Sequence, residues 1–139
     1  MEITANAIQT VPAGANVIFT DTVVCGNCSI MHREGSGLVT LRGLTNQCRA
    51  RFRVSFGGNI ALPTGGTVGP ISLAIAVNGE PVATTTMIST PAAVEEFNNV
   101  FSAIFLDVPK GCCSQISVRN TSDQPIDVQN ANLIVERVA

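Results

Sequence analysis

Apolar and polar residues alternate along most of the chain, and the alternation is repeatedly interrupted by Gly, Pro and Asn. Ile71-Ser72-Leu73-Ala74-Ile75-Ala76-Val77 sets large apolar residues between small ones, the period of a half-buried strand. Asn78-Gly79 follows, and Val82 to Ile88 is rich in Thr and apolar residues. Asn-Gly tolerates positive φ at both positions, so this segment predicts a hairpin. Arg49 to Phe56 also alternates, with Ala50, Phe52, Val54 and Phe56 on one face and Arg49, Arg51, Arg53 and Ser55 on the other. Gly57-Gly58 predicts a bulge or bend before Asn59–Leu62, and the Pro- and Gly-rich stretch Leu62 to Pro70 predicts a loop.

Shorter strands are expected at Ala7–Val11, Val17–Val24, Ser29–His32 and Leu38–Leu41, with Gly35-Ser36-Gly37 turning between the last two. Asn98–Val108, a turn at Pro109-Lys110-Gly111, Gln115–Asn120 and a final strand over Ile126–Val138 complete the series. Thr90-Pro91 is suited to open a single helical turn through Glu95. About ten strands with Gly/Pro turns and hardly a helix predict an all-β, single-domain sandwich or barrel over residues 1–139.

Phe97 to Leu106 departs from the pattern. Phe97, Phe101 and Phe105 fall on one face, and Val100, Ile104 and Leu106 on the other. A strand apolar on both faces is covered on both. One layer of a two-layer sandwich can supply only one cover, so the second is expected from another chain; the alternative is cover by loops within the monomer. The final strand repeats this more mildly, with Leu133 and Val135 facing one way and Asn132 and Ile134 the other.

Composition narrows the classes. The 139 residues are 45% hydrophobic and only 13% charged, which excludes a disordered chain. A net charge of −2 gives no footprint for nucleic acid. With neither Trp nor Tyr, stacking on bases or sugars could rest only on the six Phe. No apolar run approaches the ~20 residues of a helical membrane span. The start, Met1-Glu2-Ile3-Thr4, carries neither a basic nor a long apolar stretch, so no secretory leader is expected.

No constellation points to catalysis. His32 is the one histidine, so no paired-histidine metal site exists, and no G-x-S-x-G elbow accompanies it. Glu95-Glu96 are adjacent and diverge in extended chain; Asp123 and Asp127 flank Pro125 in a turn. Among five cysteines, Cys25 and Cys28 have ligand spacing but no second spaced pair, since Cys112-Cys113 are adjacent and Cys48 stands alone. Free thiols, disulfides and links between subunits all remain open for them. No metal or cofactor is expected. Arg49, Arg51 and Arg53, with Arg42 nearby, form the one concentrated charge. Such a stripe either clamps an acidic partner or pairs with carboxylates of a neighbouring strand or subunit. Two sequons, at Asn27 and Asn120, are read as chance matches.

Four stretches carry a resemblance: VPAGANVIF (Val11–Phe19), ISLAIAVNGEPV (Ile71–Val82), VPKGCCSQISVRNTSDQPI (Val108–Ile126) and NANLIVERVA (Asn130–Ala139). Together they resemble bacterial and phage members of the tumour-necrosis-factor/complement-globular-head superfamily, especially the heads that cap bacterial collagen-like proteins. The resemblance implies a jelly roll of about ten antiparallel strands that packs as a homotrimer, with the strand matching Phe97–Leu106 near the threefold axis. Phe97, Phe101 and Phe105 are then the expected trimer interface, and Arg49, Arg51 and Arg53 a candidate partner-binding stripe. No Gly-X-Y repeat precedes the domain, and Cys25–Gly37 and Cys112-Cys113 match nothing in those relatives. The expectation is a non-enzymatic structural protein of a phage or prophage particle, assembled in the bacterial cytoplasm, as a capsid decoration protein or fibre head docked on a capsid or fibre protein. The alternative is a receptor- or glycan-binding head on a bacterial or spore surface.

Overall fold

A computed structural model describes residues 1–139. The chain forms β1 (Glu2–Ala5), β2 (Gln9–Val11), β3 (Asp21–Val24), β4 (Ile30–His32), β5 (Val39–Arg42), β6 (Arg49–Ala61), β7 (Ile71–Val77), β8 (Glu80–Pro81), β9 (Met87–Ser89), β10 (Asn98–Pro109), β11 (Cys113–Asn120) and β12 (Ile126–Arg137). A 3₁₀ turn, Ala83–Thr85, separates β8 from β9, and there is no α-helix. One sheet runs β10-β6-β12-β1-β3 with β2 also on β12; the other runs β4-β5-β11-β7-β8 with β9 also on β7. Every pairing is antiparallel. β10 is an edge strand, paired on one side only, to β6.

The alternation explains the layering. On β6 the even-numbered Ala50, Phe52, Val54, Phe56 and Ile60 point inward and are fully buried, against Ile71, Leu73 and Ile75 of β7 and Ile116 and Val118 of β11. Phe19 meets Phe56 edge-on at 6.3 Å between ring centroids, the favoured arrangement for two quadrupoles. The result is an all-β, jelly-roll sandwich whose core lies between the two sheets.

Local differences from the pattern have physical causes. Gly57-Gly58 does not interrupt the strand: β6 runs unbroken through both. The irregularity lies instead in its partner β12, where the register shifts between Gln129 and Asn132 and Asn130 takes φ 55°. Asn tolerates that left-handed conformation better than most residues. The hairpin at Asn78-Gly79 forms with φ of 51° and 85°, but its return strand stops after two residues. Thr85 is the reason: its buried hydroxyl donates to Val82 O at 2.7 Å and accepts from Ile75 N at 2.9 Å, taking the place of a strand.

The stretch Val17–Val24 pairs as a strand only from Asp21. Val17 N donates to Val118 O of the second sheet at 2.8 Å, while Asp21–Val24 pairs with β1 of the first. The segment therefore crosses between layers, with the Gln9 amide satisfying both backbone groups of Ile18. No helical turn follows Thr90-Pro91, because Glu95 sits at φ 61° with its N–H bound to Leu62 O. β1 is an element the pattern did not predict; Ile3 and Ala5 bury one face of it.

Candidate functional site

The outer face of the first sheet gathers the chemistry that the sequence singled out. Odd-numbered residues of β10 and β6 share it through their register: Phe101 opposite Gly57, Ala103 opposite Ser55, Phe105 opposite Arg53, Asp107 opposite Arg51 and Pro109 opposite Arg49. β12 extends the same face, with Ile134 opposite Ser55 and Glu136 opposite Arg53. One end of the face is thus apolar and the other charged.

At the apolar end Phe101 and Phe105 stand 64% and 66% exposed, and Ile134 is exposed beside them. On the other face of β10, Val100, Ile104 and Leu106 pack against the core. Cover by loops within the chain is therefore not what the structure contains. Phe97 lies just ahead of β10 and is only half-buried, so it stands apart from the two rings on the strand.

At the charged end the arginine stripe meets two carboxylates. Arg51 donates to both oxygens of Asp107, from Nε at 2.8 Å and Nη2 at 3.1 Å, and Arg49 Nε lies 3.0 Å from Asp107 Oδ2. Arg53 is 3.8 Å from Glu136. The hydrogen bonds from Arg51 hold the Asp107 carboxyl below the usual carboxylate range, and the same pairing raises the Arg51 guanidinium. Pairing with carboxylates of a neighbouring strand or subunit was expected, but not which ones: Asp107 and Glu136 are named only by the structure, although Asp107 follows Phe101 and Phe105 in the same odd-numbered frame. Arg42 is elsewhere, on β5 in the second sheet, with Nη1 3.7 Å from Met31 Sδ.

The remaining candidates are dispersed. His32 is half-buried rather than at an open hairpin tip: Nε2 bonds Ser36 O at 2.9 Å and the ring meets Phe19 edge-on. Its Nδ1 is buried without a partner. Glu95 accepts from Thr64 Oγ1, and Asp127 accepts from Thr10 Oγ1 at 2.7 Å. Asn120 is fully buried, with Nδ2 donating to Val11 O at 3.0 Å and to Gln124 O at 2.9 Å. Its amide is thereby committed to the loop it closes and is closed to glycosylation in the folded chain. All five cysteines are free and exposed. No group of three or more His, Cys, Asp or Glu is placed to hold a metal ion.

No protein-family model matches the chain, and no curated protein matches it by sequence. Solved structures do match. The globular domain of a zebrafish complement 1qA protein superposes with a TM-score of 0.70 at 12% identity, over 99% of this chain and 95% of that one. Murine APRIL superposes with a TM-score of 0.57 at 10% identity, over 95% and 96%. At such identities the likeness concerns architecture alone, and what it shows is that this chain has the jelly-roll fold common to the complement globular head and the TNF-like ligand.

Proposed function

We propose that the chain is a non-enzymatic structural and binding module that assembles as a homotrimer through the outer face of its first sheet. The observation that carries this reading is the pair Phe101 and Phe105, mostly exposed on an edge strand whose other face already packs against the core. Apolar area gains roughly 25 cal/mol per Å² on leaving water, so two phenyl rings and an isoleucine per protomer favour association. The adjoining Arg/Asp/Glu cluster supplies a charged margin to the patch, and a polar margin around an apolar centre is common interface anatomy. The trimeric packing implied by the sequence resemblance is the closed arrangement that hides this face in every copy.

The trimer's setting is proposed to be a phage or prophage particle, as a capsid decoration protein or fibre head. This rests on the resemblance to bacterial and phage heads, with no constellation for chemistry in the chain. Light scattering of the reduced protein tests the assembly: a mass of three chains is expected, and a monomer at micromolar concentration overturns it. Co-sedimentation with emptied capsids of the phage that encodes the chain tests the setting. Failure to bind either capsids or isolated fibres overturns the virion role and leaves the trimer standing.

A further inference from the structure

All five cysteines lie at one end of the sandwich. Cys25 and Cys28 are in the β3–β4 loop, Cys48 immediately precedes β6, and Cys112 and Cys113 are at the β10–β11 turn. Backbone bonds tie these three loops together: Gly43 N to Cys112 O at 2.8 Å, Lys110 N to Cys48 O at 3.0 Å, and Arg42 N to Ser29 O at 2.8 Å. Arg137 completes the join, donating from Nη1 to Leu44 O at 2.6 Å. The opposite end, formed by Leu62–Pro70 and Thr121–Pro125, holds no cysteine. Unpaired cysteine is ordinarily among the most buried residues, so five exposed thiols at one end of the sandwich are unusual and accessible to thiol chemistry.

We infer that this end is a covalent joining surface between copies of the chain, where thiols of Cys48, Cys112 and Cys113 form disulfides between protomers. The inference rests on the trimer proposed above. β10 carries Phe101 and Phe105 and runs directly into the turn bearing Cys112 and Cys113. Phe105 and Pro109 are four residues apart, about 13 Å at ~3.3 Å per residue. Three copies meeting over the two rings therefore bring three sets of these thiols around one end of the axis. Disulfides form where Cα atoms lie within about 4.4–6.8 Å, so the proposal requires the turns of neighbouring protomers to converge to that distance at the axis. Five is also odd, so pairing within one chain always leaves a thiol for another.

The oxidant is a small-molecule disulfide. A protein thiolate attacks oxidised glutathione, forming a mixed disulfide and releasing one glutathione thiolate. A thiolate of the next protomer then attacks the protein-bound sulfur, forming the interprotomer S–S bond and releasing the second glutathione. The two protons lost by the protein thiols end on the two glutathiones, so two thiols and one disulfide give one disulfide and two thiols.

The full chain is oxidised with glutathione disulfide, blocked with iodoacetamide, denatured and run on a non-reducing gel, beside its reduced native mass. Covalent dimers and trimers are expected for the wild type and for the Cys25→Ser/Cys28→Ser variant, collapsing to monomer with dithiothreitol. The Cys48→Ser/Cys112→Ser/Cys113→Ser variant is expected to give only monomer on the gel while keeping the native trimer mass. Wild-type protein that stays monomeric on the gel yet trimeric in solution overturns the joining surface and spares the trimer. A ladder extending past three chains, or one abolished by losing Cys25 and Cys28, overturns the assignment to these thiols at the axis. A native monomer overturns both readings.

Discussion

The ring of Phe101 lies across the backbone of Gly57. The two residues are directly opposite in register, and Phe101 Cδ2 is 3.6 Å from the point a Cβ on Gly57 would occupy. That spacing is ordinary van der Waals contact, so the ring fills part of the gap in side chains that a glycine leaves in a strand. Most of the ring still faces water. Phe101→Glu is therefore expected to leave the protomer folded and to convert the trimer to monomer in light scattering. Phe101→Ala removes about 2 kcal/mol of burial per copy and raises the dissociation concentration without abolishing assembly. A mass unchanged by the glutamate refutes this placement of the interface.

Asp107 sets the expected acid response. Its carboxyl is held below the ordinary value by the Arg51 hydrogen bonds, so the pairing is favourable above the unfolded carboxylate range near ~3.9 and is lost as pH falls through the lower folded value. The group is exposed, so the effect on protomer stability is slight. Carboxyl-detected NMR is expected to show Asp107 titrating below the ordinary aspartate value, and Arg51→Gln to bring it back toward that value. A midpoint unmoved by Arg51→Gln contradicts the assignment.

Asn120 closes the β11–β12 end. Its side chain donates to the carbonyls of Val11 and Gln124 and accepts from Ser122 N at 3.0 Å, the first of these bonds fully buried and the others partly so. Asn120→Ala strands these groups, at about 1–3 kcal/mol for each left buried and unpaired. Urea unfolding is expected to show a loss of several kcal/mol with the slope unchanged; a loss under 1 kcal/mol contradicts the hub.

Gly43 has no room for a side chain. A Cβ there would lie 2.1 Å from Pro109 O and 3.3 Å from Cys112 O. Gly43→Ala must push the β5–β6 loop off the β10–β11 turn, breaking the bonds Gly43 N to Cys112 O and Gly111 N to Gly43 O. Thermal melts are expected to fall by several degrees, in line with about 1–3 kcal/mol for overpacking. Interprotomer disulfide yield should fall in parallel, because the loop and turn that carry the thiols separate.

What the sequence made legible were the elements with strict alternation. β6 and the core face of β10 follow their periodicity; β7 does so on its core face, although Ala74 and Ala76 on the other face are buried as well, so it is not half-buried as its alternation suggested. The jelly-roll architecture follows from these strands together with the motif resemblance. The two faces of the final strand also read correctly, with Leu133 and Val135 in the core and Ile134 outside. Elements shaped by a single side chain did not read. Thr85 replaces a strand with a hydroxyl, Gln9 satisfies Ile18 across a layer crossing, and β1 is too short to show a period. In the site, the phenylalanine face and arginine stripe were visible as separate features. Their union on one surface depends on the β6–β10 register, which joins residues some fifty positions apart and leaves no local trace.

β10 has one further consequence, through its backbone rather than its rings. Twelve residues long and unpaired along its outer edge, it presents a row of open N–H and C=O groups beside a greasy face. Such an edge is a template for strand addition by any extended chain. For the proposed trimer, the lone protomer is expected to be the species prone to strand-mediated aggregation, and apparent thermal stability is expected to rise with protein concentration, since dilution populates the free protomer.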